Sequence, residues 1–213
     1  MRRIAPVGAL PGPEATLTAP TRPSHQGPPY AARVPVSPVA VVVGGAAAAL
    51  DELDAARGLC AASGEVPTII AVNDQIARFP DEIIAVTLHY DRLLYWIKDR
   101  AARGYPAPVE TWAWWRPPRM PGLVTHVTAQ WDGSSGLHGV AVALQRGHAK
   151  VILAGVPMDA GAGHIAREGP WVDCERYRKG WIERMPQLIG RVRSMSGWTA
   201  ARLGTPTAEW LTQ

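Results

Sequence analysis

Val39-Ala40-Val41-Val42-Val43-Gly44-Gly45 is the stretch on which the reading of this chain turns. Five apolar residues in a row, with nothing polar at alternate positions, suit a strand covered on both faces. Such strands belong to parallel sheets flanked by helices. The two glycines end the strand and open the next element. Ala46 to Leu59, alanine-rich with Asp51, Glu52 and Asp54, predicts a helix. Thr68–Val72 and Ile83–Thr87 repeat the buried-strand pattern, closing on Asn73-Asp74 and on Leu88-His89. Asp91 to Arg103 places Leu93, Leu94, Trp96 and Ile97 on one helix face and Lys98, Asp99 and Arg100 towards solvent, with Gly104 as a stop. Further along, Thr111–Trp115 and Leu123–Thr128 read as weaker strands. Ser135–Gly147 reads as a helix, Lys150–Gly155 as another buried strand and Tyr177–Leu188 as a helix. Arg191–Met195 is a last strand and Thr199–Leu203 a short helix. The alternation predicts an α/β fold: a Rossmann-like three-layer domain with a mostly parallel sheet and helices on both faces.

Upstream of Val39 the character changes. Nine of the 20 prolines lie in residues 1–38, with no apolar periodicity between them. Such a segment buries too little surface to offset its ordering entropy, so residues 1–38 are predicted to be a disordered arm and 39–213 the folded domain. The arm carries four arginines against one glutamate, leaving 18 basic and 17 acidic side chains for the remainder. The net charge of +4 is therefore mostly the arm's, and the domain lacks the basic face of a dedicated nucleic-acid binder. No apolar run reaches the roughly 18 residues of a membrane span, and no signal-peptide core follows Met1. A cytoplasmic protein is expected. Cys60 and Cys174, far apart and in no CxxC pair, read as free thiols.

In open parallel sheets ligands bind beyond the carboxyl ends of the strands, where the strand order switches. That rule selects the residues after each strand. Gly44 and Gly45 permit close approach of a ligand to backbone and helix N-terminus, or simply form a tight turn. Asn73 and Asp74 can bond a base or ribose, and are also ordinary turn residues. Asp132-Gly133-Ser134-Ser135-Gly136 precedes a helix, where small hydroxyl residues cap and free N–H groups hold a phosphate. Trp131 beside that turn suits stacking on a base or sugar. Trp112, Trp114 and Trp115 suit core packing or a ligand wall, with Arg116 and Arg119 nearby. Ser196, in Ser194-Met195-Ser196-Gly197-Trp198-Thr199, completes the site or caps a helix. Arg191 and Arg193 are candidates to offset phosphate charge. There is no GxGxxG, no GxxxxGK[ST] and no HExxH, and the histidines lack metal-ligand spacing, so no metal centre is expected.

Ser134-Ser135-Gly136, Val140 to Leu144, Gly147, and Val151-Ile152-Leu153-Ala154-Gly155-Val156-Pro157-Met158-Asp159 together resemble a segment of bacterial sialyltransferases. There a Ser-Gly opens a helix, a Gly ends it, and the next strand closes in Gly-Ile-Asp. Val43-Gly44-Gly45 resembles that family's first turn, with Gly45 in place of its Asn and Ala46-Ala47 in place of its Pro-Ser. Ala71-Val72-Asn73-Asp74 resembles its Cys-Asn motif. The 6-hydroxymethylpterin diphosphokinases share the architecture, and phage or prophage proteins of the same shape are similar. The likeness covers residues 39–160. It implies a nucleotide or nucleotide-sugar donor across Gly44, Asn73 and Ser134 to Gly136. It also implies a histidine base downstream of the Asp159 strand end. His164 is the first candidate, His89 the second, and Asp159 positions the ligand or caps a turn. Three functions follow: a glycosyltransferase-like transferase with an acceptor left open; a Mg²⁺-dependent pyrophosphate-transfer enzyme, with Asp132 and Asp159 on the metal; or a non-catalytic accessory module whose arm binds a partner.

Overall fold

A computed structural model describes residues 37–129, 131 and 133–213. Most of the predicted arm lies outside the described residues, which all belong to one compact unit. Seven strands form its sheet: β1 (Val39–Val43), β2 (Thr68–Val72), β3 (Ile84–Thr87), β4 (Glu110–Ala113), β5 (His126–Val127), β6 (Lys150–Ala154) and β7 (Val192–Ser194). Every pairing is parallel and the order is β5-β4-β3-β2-β1-β6-β7. The chain therefore builds outward from β1 in one direction through β5, then returns to place β6 on β1's other side. The switch in strand order lies between β1 and β6.

Alternate residues of the central strands serve opposite cores. Val39, Val41 and Val43 face one layer, formed by α1 (Ala49–Ala62), α2 (Gln75–Arg78), α3 (Tyr90–Ala102) and α7 (Ala208–Leu211). Ala40 and Val42 face the other, formed by α4 (Ser135–Gln145), α5 (Cys174–Leu188) and α6 (Gly197–Leu203). Both sides of β1 are fully buried, which is why its sequence shows no alternation. Gly139 lets α4 approach the sheet: a Cβ there would stand 2.8 Å from Val42 Cγ1. Both cysteines are buried and unpaired. Among the described residues no helix is long and apolar enough to cross a membrane.

Three local expectations change. The strand expected over 123–128 has only two ladder residues. Upstream of them Thr111 and Thr125 exchange hydroxyl–backbone bonds, each side chain accepting from the other's N–H at 2.9 Å. These hydroxyl bonds supplement the backbone bond from Thr125 N–H to Thr111 O at 3.0 Å at the sheet edge. Arg100, expected at the surface, is buried, because the loop after α2 folds over α3 and presents carbonyls to it. The short helices α2 and α7 carry too few residues for a 3.6-residue period to be read, and went unpredicted.

Candidate functional site

The ends of β1 and β6 interlock. Gly44 N–H donates to Ala154 O at 2.7 Å and Ala46 N–H to Gly155 O at 3.1 Å. A Cβ on Gly44 would sit 2.4 Å from Gly155 O, and one on Gly155 2.4 Å from Ala49 Cβ. Gly155 also has φ of +68°, a conformation glycine adopts without strain. The glycines let two turns pack together where the sheet changes direction. Glu52, one turn into α1, closes the junction by accepting Gly155 N–H at 2.6 Å.

Outside this junction lies a cavity of about 470 Å³. Ala46, Ala48 and Glu52 form one wall, Pro157, Asp159 and Ala162 another, and Ser196 and Gly197 the end. It occupies the switch between β1 and β6, and its size is that of small-molecule sites. Asp159 shapes its rim. Its Oδ1 accepts from Arg178 Nη2 at 2.9 Å and its Oδ2 from Trp198 N–H at 3.0 Å. The same guanidinium donates to Met158 O at 2.9 Å, holding Met158 at φ of +56°. Asp159 therefore ties α5 and the first turn of α6 to the end of β6. Ser196, preceding α6, makes no side-chain cap and lines the cavity.

The segment after β6 then crosses back over β1. A 3₁₀ turn at Ala160–Ala162 and Gly163, at φ of +66°, return the chain so that Ile165 N–H donates to Gly45 O at 2.9 Å. His164 lies on Gly45: a Cβ there would stand 2.5 Å from its Nε2. Its Nδ1 accepts Ala166 N–H at 3.1 Å, so the neutral ring carries its proton on Nε2. Burial first, then Arg167, pulls its pKa below the usual imidazole value, Asp74 opposing, and the ring is neutral at pH 7.

Beside it, β2 ends on three fastened residues. Asn73 takes φ of +53°, which Asn tolerates better than most residues, and its Oδ1 accepts from Thr87 Oγ1 at 2.8 Å. Asp74 Oδ1 accepts from Trp96 Nε1 at 3.0 Å. Gln75 is wholly buried, donates from Nε2 to Gly44 O at 2.9 Å, and leaves Oε1 without a partner among the described residues. The ring of His89 is exposed; only its N–H joins the network, donating to Thr87 Oγ1 at 2.8 Å.

The first turn of α4 meets the end of β6, since a Cβ on Gly136 would stand 2.8 Å from Val156 Cγ1. Ser134 is the N-cap, and its Oγ accepts from Leu137 N–H at 3.4 Å and Trp181 Nε1 at 3.2 Å. That hydroxyl is taken up within the protein, while the neighbouring Ser135 is half-buried. Gly133, at φ of +139°, makes room for Leu137. Asp132 lies outside the described residues.

Other expected residues stand apart. Trp131 lies under Arg184, 4.9 Å from ring centroid to guanidinium, and lines a second cavity with Gln145 and Gln187. Arg116 donates to Thr125 O at 2.8 Å near the sheet edge. Trp112 is buried, whereas Trp114 and Trp115 pack on Tyr90 with centroids 6.1 and 4.7 Å away, past the end of β4. β4 is three strands from β1, roughly 14 Å at ordinary strand spacing. Arg191 donates to His148 O, just before β6 and thus at the sheet's opposite edge, and Arg193 to Thr205 O. Among the described residues no three His, Cys, Asp or Glu side chains gather as a metal site.

Glu52 and Thr87 figure in the sequence only as parts of a helix and a strand and Gln75 not at all; none of the three stood among the site candidates. Thr87 alone carried a signal, a polar residue closing an otherwise apolar buried strand. A scan against family models and searches of curated proteins and solved structures find no match to this chain.

Proposed function

We propose that this chain is a transferase of glycosyltransferase type, resembling the sialyltransferases, that binds a nucleotide-activated donor at the carboxyl rim of β1, β2 and β6. The observation carrying this reading is the return of His164 onto Gly45, beside the cavity at the strand-order switch. Group transfer breaks the bond between donor carbon and phosphate oxygen, the electron pair leaving with the phosphate. The acceptor oxygen bonds that carbon and gives up its proton. A neutral histidine can serve either partner. With Nδ1 engaged by Ala166 N–H, Nε2–H donates to the departing phosphate oxygen. If that bond opens and the proton moves to Nδ1, the Nε2 lone pair takes the acceptor's proton. The half-buried Ser135 and the N–H groups opening α4 supply donors for phosphate.

Thermal unfolding in the presence of CMP, CDP, UDP, GDP, ADP, ATP or NAD⁺, each with and without Mg²⁺, tests the proposal. A ligand at a hundredfold excess over its Kd stabilises the native state by about 2.7 kcal/mol. For a domain of this size that is a rise in Tm of about 5–10 °C. One nucleotide is expected to give it, and Ser135→Ala and Asn73→Ala to diminish it. No shift with any of them would discard the donor site in favour of a non-catalytic module. A shift only with ATP and Mg²⁺ would favour pyrophosphate transfer.

A further inference from the structure

We infer that Thr87 is a positioning residue that fixes which end of the Asn73 carboxamide faces the ligand, and that the site consequently takes an oxygen acceptor at Asn73. The inference rests on the donor-site reading for its ligand, but its geometry stands on the protein alone.

Thr87 is fully buried at the end of β3, and its hydroxyl has two partners, His89 N–H and Asn73 Oδ1, each at 2.8 Å. A hydroxyl owns one proton and two lone pairs. Because His89 N–H is a donor, it occupies a lone pair of Thr87 Oγ1. The hydroxyl proton is left for Asn73, whose partnering atom must then be its carbonyl oxygen. If the carboxamide were turned over, Thr87 Oγ1 would accept from both neighbours. Its own proton would be buried with nothing to receive it among the described residues, which is costly. Asn73 Oδ1 is thus consumed inside the protein, and both Nδ2 protons are offered outward. The backbone holds the same residue in place, with φ of +53° and Asn73 N–H on Val86 O at 3.2 Å. A pair of N–H donors, one strand from the turn that opens α3 and next to the end of β1, matches a phosphate, carboxylate or carbonyl oxygen. It does not match a donor such as an exocyclic amine.

The test uses the full chain and two substitutions, Thr87→Val, which keeps shape and removes the hydroxyl, and Thr87→Ser, which restores it. The first readout needs no ligand: the side-chain NH₂ resonances of Asn73 in a ¹H–¹⁵N spectrum, assigned by their loss in Asn73→Asp. In the parent and in Thr87→Ser a single sharp, inequivalent pair is expected; in Thr87→Val the pair broadens or shifts as the carboxamide turns. An unchanged pair in Thr87→Val, or failure of Thr87→Ser to restore it in a folded protein, overturns the inference. The second readout is the Kd of CMP by calorimetry, expected to weaken about 10-fold in Thr87→Val and to recover in Thr87→Ser. CMP binding undiminished in Thr87→Val would also overturn it. If CMP does not bind the parent, the donor reading fails in its CMP form, while the resonances still decide the role of Thr87.

Discussion

Gly45 and His164 show how one missing methyl group can set a site. Gly45 does not have the positive φ that demands glycine, so its constraint is the imidazole pressed upon it. Gly45→Ala should therefore destabilise the fold by about 1–3 kcal/mol through overpacking. His164→Ala added to it should recover most of that loss, because the three atoms nearest a Cβ there all belong to the ring. Gly155→Ala should cost at least as much and should not recover, since it combines φ of +68° with a clash against Gly44 O at 2.9 Å. Urea unfolding of the single and double variants measures both; additive losses at Gly45 and His164 would show that the contact carries no energy. The glycines of the first turn were visible in the sequence, but what they admit was not. Gly44 admits the end of β6 and Gly45 the histidine, so part of the room a ligand was expected to use is filled by the protein.

At the scale of elements, Arg100 joins α3 to the loop between α2 and β3. Its guanidinium donates to the carbonyls of Ile76, Phe79, Asp81 and Pro106. Burial pulls its pKa down and Asp81 and Tyr105 push it up, but guanidinium stays charged throughout. Lysine offers three donors from a single nitrogen and cannot span four carbonyls spread over two segments. Arg100→Lys is expected to lose about 2–4 kcal/mol and to speed amide exchange in residues 76–82. Unchanged stability in chemical denaturation would show that water replaces the side chain freely. The periodicity of residues 91–103 marks Arg100 as an outer residue, and for an isolated helix it would be one. The covering loop carries no period of its own, so its return across α3 left no trace in the pattern.

Across the whole molecule, burial of neutral histidines makes stability depend on pH. His138 in α4 is fully buried, has no partner for either ring nitrogen among the described residues, and has its pKa lowered by burial to about 4. His148, also buried, donates from Nδ1 to Ser37 O at 2.7 Å and is lowered chiefly by burial too. An unfolded chain protonates these rings near pH 6.5. Below that value the unfolded state binds protons the folded state refuses, so stability falls as pH drops from about 6.5 towards 4. For His138 the loss amounts to at most about 3 kcal/mol. Urea unfolding at pH 7.5 and 4.5 should show the decline, and His138→Leu should reduce it. An equal decline in that variant would place its origin elsewhere.

The sequence by itself determined the layered α/β architecture, because strands buried on both faces and helices buried on one write their periods locally, within five to fifteen residues. Gly44, Asn73 and Ser134 were legible as element ends for the same reason: they are punctuation at the ends of periodic runs, whereas His164 entered only through the family resemblance. Only the tertiary structure decided that β1 lies between β2 and β6. That placement put Glu52 on the Gly155 turn, 103 residues away, and His164 on Gly45. The pairing of β2 with β3 put Thr87 on Asn73, while Trp131 and Arg116 lie elsewhere. Such contacts depend on which elements share a sheet edge, and that is chosen by packing two cores at once, a global condition that no local window of sequence contains.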